Sequence, residues 1–305
     1  MNAIAETATS APAVTERWSR PSFLGAIGGE LLKLRRQRAT VAMLGAAVLL
    51  FAVVIAALFS NDNQRQLLHR DHVTFFLNVL QVLMTLFESG AGVFLLLVSA
   101  RLVGMEYSAG TIRVLLARGT GRLQLLAAKL AALMLAGLGL LAGFAILAAA
   151  SISIVVRMWE GSLSPITSLP QVVWHDLGLC TLAALLSIGI CILLGSTAAI
   201  AGRSMTFGIG VAMGFFPADN FGTIVMSLLA GLTHQTFWMN VTAYFLGPNL
   251  NVLPVLLQTD HHARAAFATP LQKVDSTHAL VVIGVYAAAF LIISTVLTRR
   301  RDVLE

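Results

Sequence analysis

Charge is what this sequence has least of. Asp, Glu, Lys and Arg make up 11% of its 305 residues, while 57% are hydrophobic. A soluble domain carries roughly 25% charged residues. A disordered chain, a coiled coil and an ordinary soluble enzyme are therefore excluded. Cysteine is scarce as well. Cys180 and Cys191 share one apolar block. On a helix they would lie about 16 Å apart at about 1.5 Å per residue, and a disulfide needs Cα atoms within about 7 Å. They read as buried thiols, and no metal-type cysteine spacing exists. No G-x-x-x-x-G-K-[ST] is present. Gly195-Ser196-Thr197 and Gly119-Thr120-Gly121-Arg122 both lack the lysine that would hold phosphates. Binding of ATP by this chain is not expected. The hydrolase signatures G-x-S-x-G and H-E-x-x-H are missing too.

What the sequence does have is long stretches without charge. They cover 39–59, 73–100 (interrupted by Glu88), 130–156, 177–202, 279–298, and a block from 204 that meets Pro217-Ala218-Asp219-Asn220. About 20 apolar residues cross the hydrocarbon core of a bilayer as a helix. The pattern predicts an all-α integral membrane protein, a six-span bundle with spans at about 39–59, 76–101, 128–156, 177–201, 204–217 and 279–298. Strands of an outer-membrane barrel would alternate over short segments instead. A disordered cytoplasmic tail is expected over 1–21, followed by the membrane domain over 22–305. The first apolar block is too long and lies too far in to be a signal peptide.

Orientation follows from the basic residues. An inside N-terminus places Arg17, Arg20, Lys33, Arg35, Arg36, Arg38, Arg101, Arg113, Arg118, Arg122, Lys129, Arg203 and Arg299–Arg301 in the cytoplasm. Arg65, Arg70, Arg157, Arg264 and Lys273 fall outside. That asymmetry predicts both termini inside. The long outer segment 219–278 weighs less, because long loops translocate regardless of charge. Trp159 and Trp174 flank the third-to-fourth connection, where an interfacial aromatic belt is expected.

Ser22 to Arg38 reads as an amphipathic helix lying in the membrane surface. Phe23, Ile27, Leu31 and Leu34 form its apolar side, and Lys33, Arg35, Arg36 and Arg38 its charge. The plainer alternative is a solvated extension of the first span. The connection between the second and third spans is the most informative stretch. At about 100° per residue, Glu106, Gly110, Arg113 and Ala117 share one helical face, and Ile112, Leu115 and Leu116 another. Gly119-Thr120-Gly121 then breaks the helix. A short amphipathic helix of this kind either presents a carboxylate and a guanidinium to a partner or is a hairpin turn held at the surface by its charges.

The pattern Glu106, Gly110-Thr111, Arg113, Leu115-Leu116, Gly119, Arg122, Lys129 resembles the coupling region of the type-two ATP-binding-cassette (ABC) transporter permeases. Glu30-Leu31-Leu32-Lys33-Leu34-Arg35 is similar to the amphipathic helix that precedes their first span. With six spans and both termini inside, the resemblance covers nearly the whole chain. It departs at Arg118-Gly119-Thr120-Gly121, where many members have a proline or serine before the arginine. The resemblance implies the permease subunit of an exporter working by alternating access in a prokaryotic plasma (inner) membrane. It implies two copies of a separate ABC ATPase subunit, which bind the ATP and Mg, with no cofactor held by this chain. A second permease copy, as a homodimer, and membrane lipid complete the expected partners; nucleic acid is not among them. Glu106, Thr111, Arg113 and Arg118 are then the ATPase contacts, and Lys33, Arg35 and Arg36 the charges of the interfacial helix.

Two acidic residues mark a possible translocation path. Glu88 sits inside the second span, and intramembrane charge is a functional signal. It either lines the path or hydrogen-bonds Ser89, Thr85 or a neighbouring helix. Asp219 follows Pro217, which removes a helix hydrogen bond, so the fifth span is expected to end near Pro217. Re-entrant or interfacial helices on the outer face would follow, as the family also implies; two extra full spans are the alternative. Gly139/Gly143 and Gly210/Gly214 have the G-x-x-x-G spacing of close helix packing. Asp260-His261-His262 reads as a solvated loop rather than a metal site. The mostly Leu, Ala, Val and Gly spans favour an amphiphilic or hydrophobic substrate.

An intramembrane enzyme, a protease or lipid-modifying hydrolase, is the competing class. Ser187 and Ser196 lie in the fourth span, but His234, the nearest histidine, lies beyond the break. A passive channel would need a repeated polar filter, which the sequence does not show. The topology has a direct test: single cysteines at Asn63 and Thr120, probed in intact cells with an impermeant maleimide. Labelling is expected at Asn63 and not at Thr120; the opposite pattern reverses the orientation.

Overall fold

The computed structural model describes residues 22–110, 121–258, 265 and 267–300. Every regular element among these residues is a helix. Hydrocarbon offers backbone amides no partner, and a helix satisfies them all internally. In chain order the helices are α1 (Phe23–Arg36), α2 (Arg38–Phe59), α3 (Asp62–Arg70), α4 (His72–Ser108), α5 (Arg122–Glu160) and α6 (Ser164–Thr167). They continue with α7 (Gln171–Gly202), α8 (Met205–Thr233), α9 (Phe237–Thr242), α10 (Leu246–Leu257) and α11 (Ser276–Arg300). Six of them, α2, α4, α5, α7, α8 and α11, are long and apolar enough to cross a membrane. The six-span, all-α expectation holds.

The helices outrun the apolar blocks. At about 1.5 Å per residue, α4 and α5 are each more than 50 Å long, against a hydrocarbon core of about 30 Å. Their surplus turns carry the charged ends that meet near residues 109–121. The amphipathic segment is its own helix. Gln37 has an extended backbone (φ −77°, ψ 113°) that separates α1 from α2. Ser22 caps α1 by accepting the Gly25 N–H at 3.0 Å. Leu34 is buried and Leu31 partly so, but they pack against the bundle core, and α1 lies along α5. Phe23 and Leu24, at the other end of α1, stay exposed.

The centre of the bundle is the pair α4 and α7. Leu83, Phe87, Ala91, Leu95, Val98 and Leu102 recur at helical spacing along α4 and are buried. Cys180, Ala184, Ile188, Cys191, Gly195 and Ala198 do the same along α7. Both thiols are free. Lipid provides little hydrophobic drive between helices, so close packing of small residues carries the association. A Cβ on Gly195 would come within 2.1 Å of Ser99 Oγ and 2.8 Å of the Leu96 carbonyl. On Gly104 it would stand 2.5 Å from Met205 Cα, and on Gly208 2.8 Å from Ala199 Cα. These glycines, rather than Gly139/Gly143 and Gly210/Gly214, set the helix spacing. The G-x-x-x-G pairs meet nothing within 4 Å among the described residues; spacing alone does not say which face of a helix is covered.

The second correction concerns the fifth span. Its helix does not end near Pro217 but continues to Thr233, with Pro217 inside it. A proline costs one backbone bond, and covered carbonyls elsewhere tolerate the loss. Here the Asn220 amide donates to the Phe216 carbonyl at 2.8 Å within the turn that contains the proline. The break falls at His234, in the left-handed region at φ 55°. Two short helices, α9 and α10, follow. At twelve residues, α10 is shorter than a spanning helix. It is pinned by Asn249, whose amide donates to the Ala243 and Phe245 carbonyls at 2.8 and 2.7 Å.

Near the α4 N-terminus, Phe75 is packed edge-on against Phe76 and Trp159, with centroids 5.3 and 6.3 Å away. Trp159 also meets Phe59 at 5.6 Å. Trp174, by contrast, is exposed.

The glycine assignments predict opposite results for one substitution type. Gly104→Ala forces Cβ into the Met205 backbone and should cost about 1–3 kcal/mol, as overpacking does. Gly143→Ala meets open space and should leave the melting temperature unchanged or slightly raised. Thermal unfolding of the purified protein in detergent compares the two.

Candidate functional site

Four charged residues from three helices close into a ring where the long helices end. The Lys33 Nζ of α1 donates to Glu30 Oε1 at 2.7 Å and to Glu106 Oε1 at 2.8 Å. The Lys129 Nζ of α5 donates to Glu106 Oε1 at 2.7 Å and to Glu30 Oε2 at 3.0 Å. It also reaches the Leu102 carbonyl at 3.5 Å. Two carboxylates and two ammoniums therefore alternate with no net charge. Glu30, Glu106 and Lys129 are buried, each less than a tenth exposed. Lys33 closes the ring from the half-exposed rim. Bare burial of any one charge would be prohibitive, and pairing is what allows it.

The local sequence explains the placement. Glu30 and Lys33 are one helical turn apart on α1, the favoured spacing for an ion pair. Glu106 lies in the last turns of α4 and Lys129 two turns into α5. Since α4 and α5 leave the core in opposite chain directions, their charged ends come to one level. Nearby, Ser108 Oγ accepts the Met205 N–H at 3.2 Å and Arg122 donates to the Arg299 carbonyl at 3.5 Å. This end of the bundle thus gathers the ends of α1, α4, α5, α8 and α11.

The ring changes the expected role of Glu106. The sequence reading put it on an exposed face with Arg113; the structure places it in α4, buried between two lysines. Periodicity registers a face but not what covers it. Thr111, Arg113 and Arg118 lie outside the described residues. Arg35 and Arg36 are exposed on α1, while Lys33 is tied into the ring. Glu30 and Lys129 were missed as partners. The available signal was four opposite charges at matching distances from the span ends.

Further along α4 a cavity of about 370 Å³ opens among α4, α7, α8 and α10. Glu88 lines it, as do Thr85, Ser89, Ser187, Asn220, Asn251 and Gln258, with apolar walls from Met84, Leu96, Phe216, Pro254 and Phe267. Asp219 does not line it. Its carboxylate accepts the N–H groups of Leu246 and Gly247, capping the α10 N-terminus, where the helix dipole favours negative charge. Asp219 thus faces protein and ties α8 to α10. Asn251 bridges further, donating to Asn220 Oδ1 at 3.1 Å and to the Ala268 carbonyl at 2.8 Å.

Six long apolar helices, buried charge gathered into an ion-pair ring, and an internal cavity define a multi-pass helical membrane protein. The family described as ABC-2 family transporter protein matches residues 26–216, more than half of the sequence. The chain belongs to that family and is a membrane permease of a transport system. The match includes all four ring residues and Glu88. Permeases of this family normally work with an ABC ATPase subunit. No curated protein matches the chain.

The ring yields a stability prediction. Glu106→Ala leaves buried Lys129 short of a counter-charge and should cost about 2–5 kcal/mol. Arg36→Ala, on an exposed face, should stay within about 0.5 kcal/mol. Equal melting temperatures for the two variants would remove the ring from the stability of the fold. For Lys33, burial alone lowers the pKa, but hydrogen bonds and charge from Glu106 and Glu30 outweigh it and hold the group above its ordinary 10.5. Its contribution is therefore present at neutral pH and is lost only as pH rises through that raised value.

Proposed function

We propose that this permease is the membrane subunit of an ATP-driven exporter, paired with a second copy of itself and two ATPase subunits. ATP and Mg are held by the ATPases. Both termini and the ion-pair ring face the cytoplasm of a prokaryotic cell, and transport proceeds by alternating access. The observation that carries this reading is the ring in a chain of this family. It clamps α1 to the two helices that flank residues 109–121. A partner must push on something stiff, and the ends of α4 and α5, both tied to one surface helix, qualify.

The mechanical path then follows α4. Glu88 lies about 27 Å from Glu106 along that helix at about 1.5 Å per residue, and the cavity is lined by α4 from Gln81 to Leu96. A tilt of the ring end moves the cavity wall as one body, because the α4–α7 contact is backbone-close at Gly195. The ATPase contact falls to Thr111, Arg113 and Arg118, since buried Glu106 has its charge committed to the ring. The cargo is amphiphilic or hydrophobic, in keeping with the apolar cavity walls.

Arg113→Ala should weaken co-purification of the ATPase and lower transport-coupled ATP hydrolysis while the permease melts normally. Loss of a charge from a desolvated interface costs about 2–5 kcal/mol. Wild-type assembly, hydrolysis and transport in Arg113→Ala, Arg118→Ala and their double variant would place the coupling surface elsewhere.

A further inference from the structure

The cavity beside Glu88 carries more than a general preference for apolar cargo. Its volume, about 370 Å³, lies within the range of about 300–1,000 Å³ typical of small-molecule sites. Its walls are Met, Leu, Val, Pro and Phe side chains from four helices, and no Lys or Arg is among its described lining residues. The polar groups around it are largely committed. The Ser89 hydroxyl donates to the Thr85 carbonyl at 2.7 Å. The Asn220 amide is bonded to Phe216, the Asn251 amide to Ala268 and Asn220, and the Gln258 amide to Cys180 Sγ at 3.1 Å. Glu88 makes no hydrogen bond or ion pair among the described residues. Among the described lining residues, Glu88 is a carboxylate without a counter-charge, and the rest of the lining is neutral and mostly apolar.

Those features select by charge. An anion would meet Glu88 with no cation among the described lining residues to offset it. A neutral ligand would gain the walls alone. A compact hydrophobic cation gains the walls, among them Phe216 and Phe267, and the carboxylate. We infer that this cavity is a binding site for hydrophobic organic monocations, such as quaternary phosphonium or ammonium compounds, with Glu88 as their counter-ion. The inference deepens the exporter reading by naming a substrate class, and it rests on that reading only for what happens after binding.

The test uses the purified full-length permease in neutral detergent and a pair of near-isosteric ions, tetraphenylphosphonium and tetraphenylborate, measured by equilibrium dialysis. Tetraphenylphosphonium is expected to bind at one site per chain, and tetraphenylborate not to compete. Glu88→Gln should weaken the cation by about tenfold or more, and Glu88→Asp, which keeps the charge, should recover most of it. Val255→Trp, filling the cavity from α10 without touching the carboxylate, should also weaken it, which covers the case of a poorly folded Glu88→Gln. Equal binding of the two ions, an unchanged affinity in folded Glu88→Gln, or no binding to the wild type overturns the inference. A separate measurement isolates the exporter reading: ATP hydrolysis by the complex with the ATPase. Glu88-dependent binding with no effect of the cation on hydrolysis leaves the site standing and overturns its role in transport. Coupling lost in Arg113→Ala, with no cation binding in the wild type, overturns the site alone.

Discussion

A charge or a backbone amide placed in hydrocarbon has no water to turn to, and this structure is organised by the partners the protein supplies instead. The backbone answers with helices. The side chains answer in three ways: a closed ring of Glu30, Lys33, Glu106 and Lys129, a helix N-terminus that receives Asp219, and carbonyls that receive the amides of Asn249 and Asn251. The Lys33–Glu106, Lys129–Glu30, Lys129–Glu106 and Asp219–Gly247 contacts among them join elements that are distant in sequence. The polar residues, few as they are, therefore fix which helix ends lie together, while small residues fix how closely the helices approach.

The ring and the α4–α7 seam divide the work between them. At the seam, Gly195 lets the backbones of α4 and α7 approach closely. At the ring, four charges hold α1 against both helices that lead into residues 109–121. Neither feature performs chemistry. Together they connect the charged end of α4 to the stretch of the same helix that lines the cavity beside Glu88.

The opposite end of the bundle is built on different terms. There the aromatic cluster around Phe75 and Trp159 packs α2, α4 and α5, and His69 Nδ1 stands 2.8 Å from Glu160 Oε1. Beyond α8, the chain folds back through α9 and α10 and is held by side-chain amides and by the Leu271 N–H donating to Thr242 Oγ1 at 2.9 Å. Short helices suit this region because their exposed ends are met by named side chains.

The sequence alone determined the fold class, the number of spans and the family. Those follow from charge-free length, which a bilayer reads directly, and from the order of charged motifs around the spans. It also singled out Glu88, because charge inside an apolar block is visible without coordinates. What it did not determine were matters of neighbourhood. The two glycines of each G-x-x-x-G pair look like packing residues until the covered faces are known, and Gly104, Gly195 and Gly208 look like nothing in particular until another backbone stands beside them. Pro217 reads as a helix end because proline lacks an N–H, yet the helix continues through it to Thr233. Glu106 reads as an exposed contact because periodicity gives a direction and not a partner. Tertiary structure decided these points because the energy of a buried charge or a close approach depends on what stands opposite, and what stands opposite comes from another part of the chain.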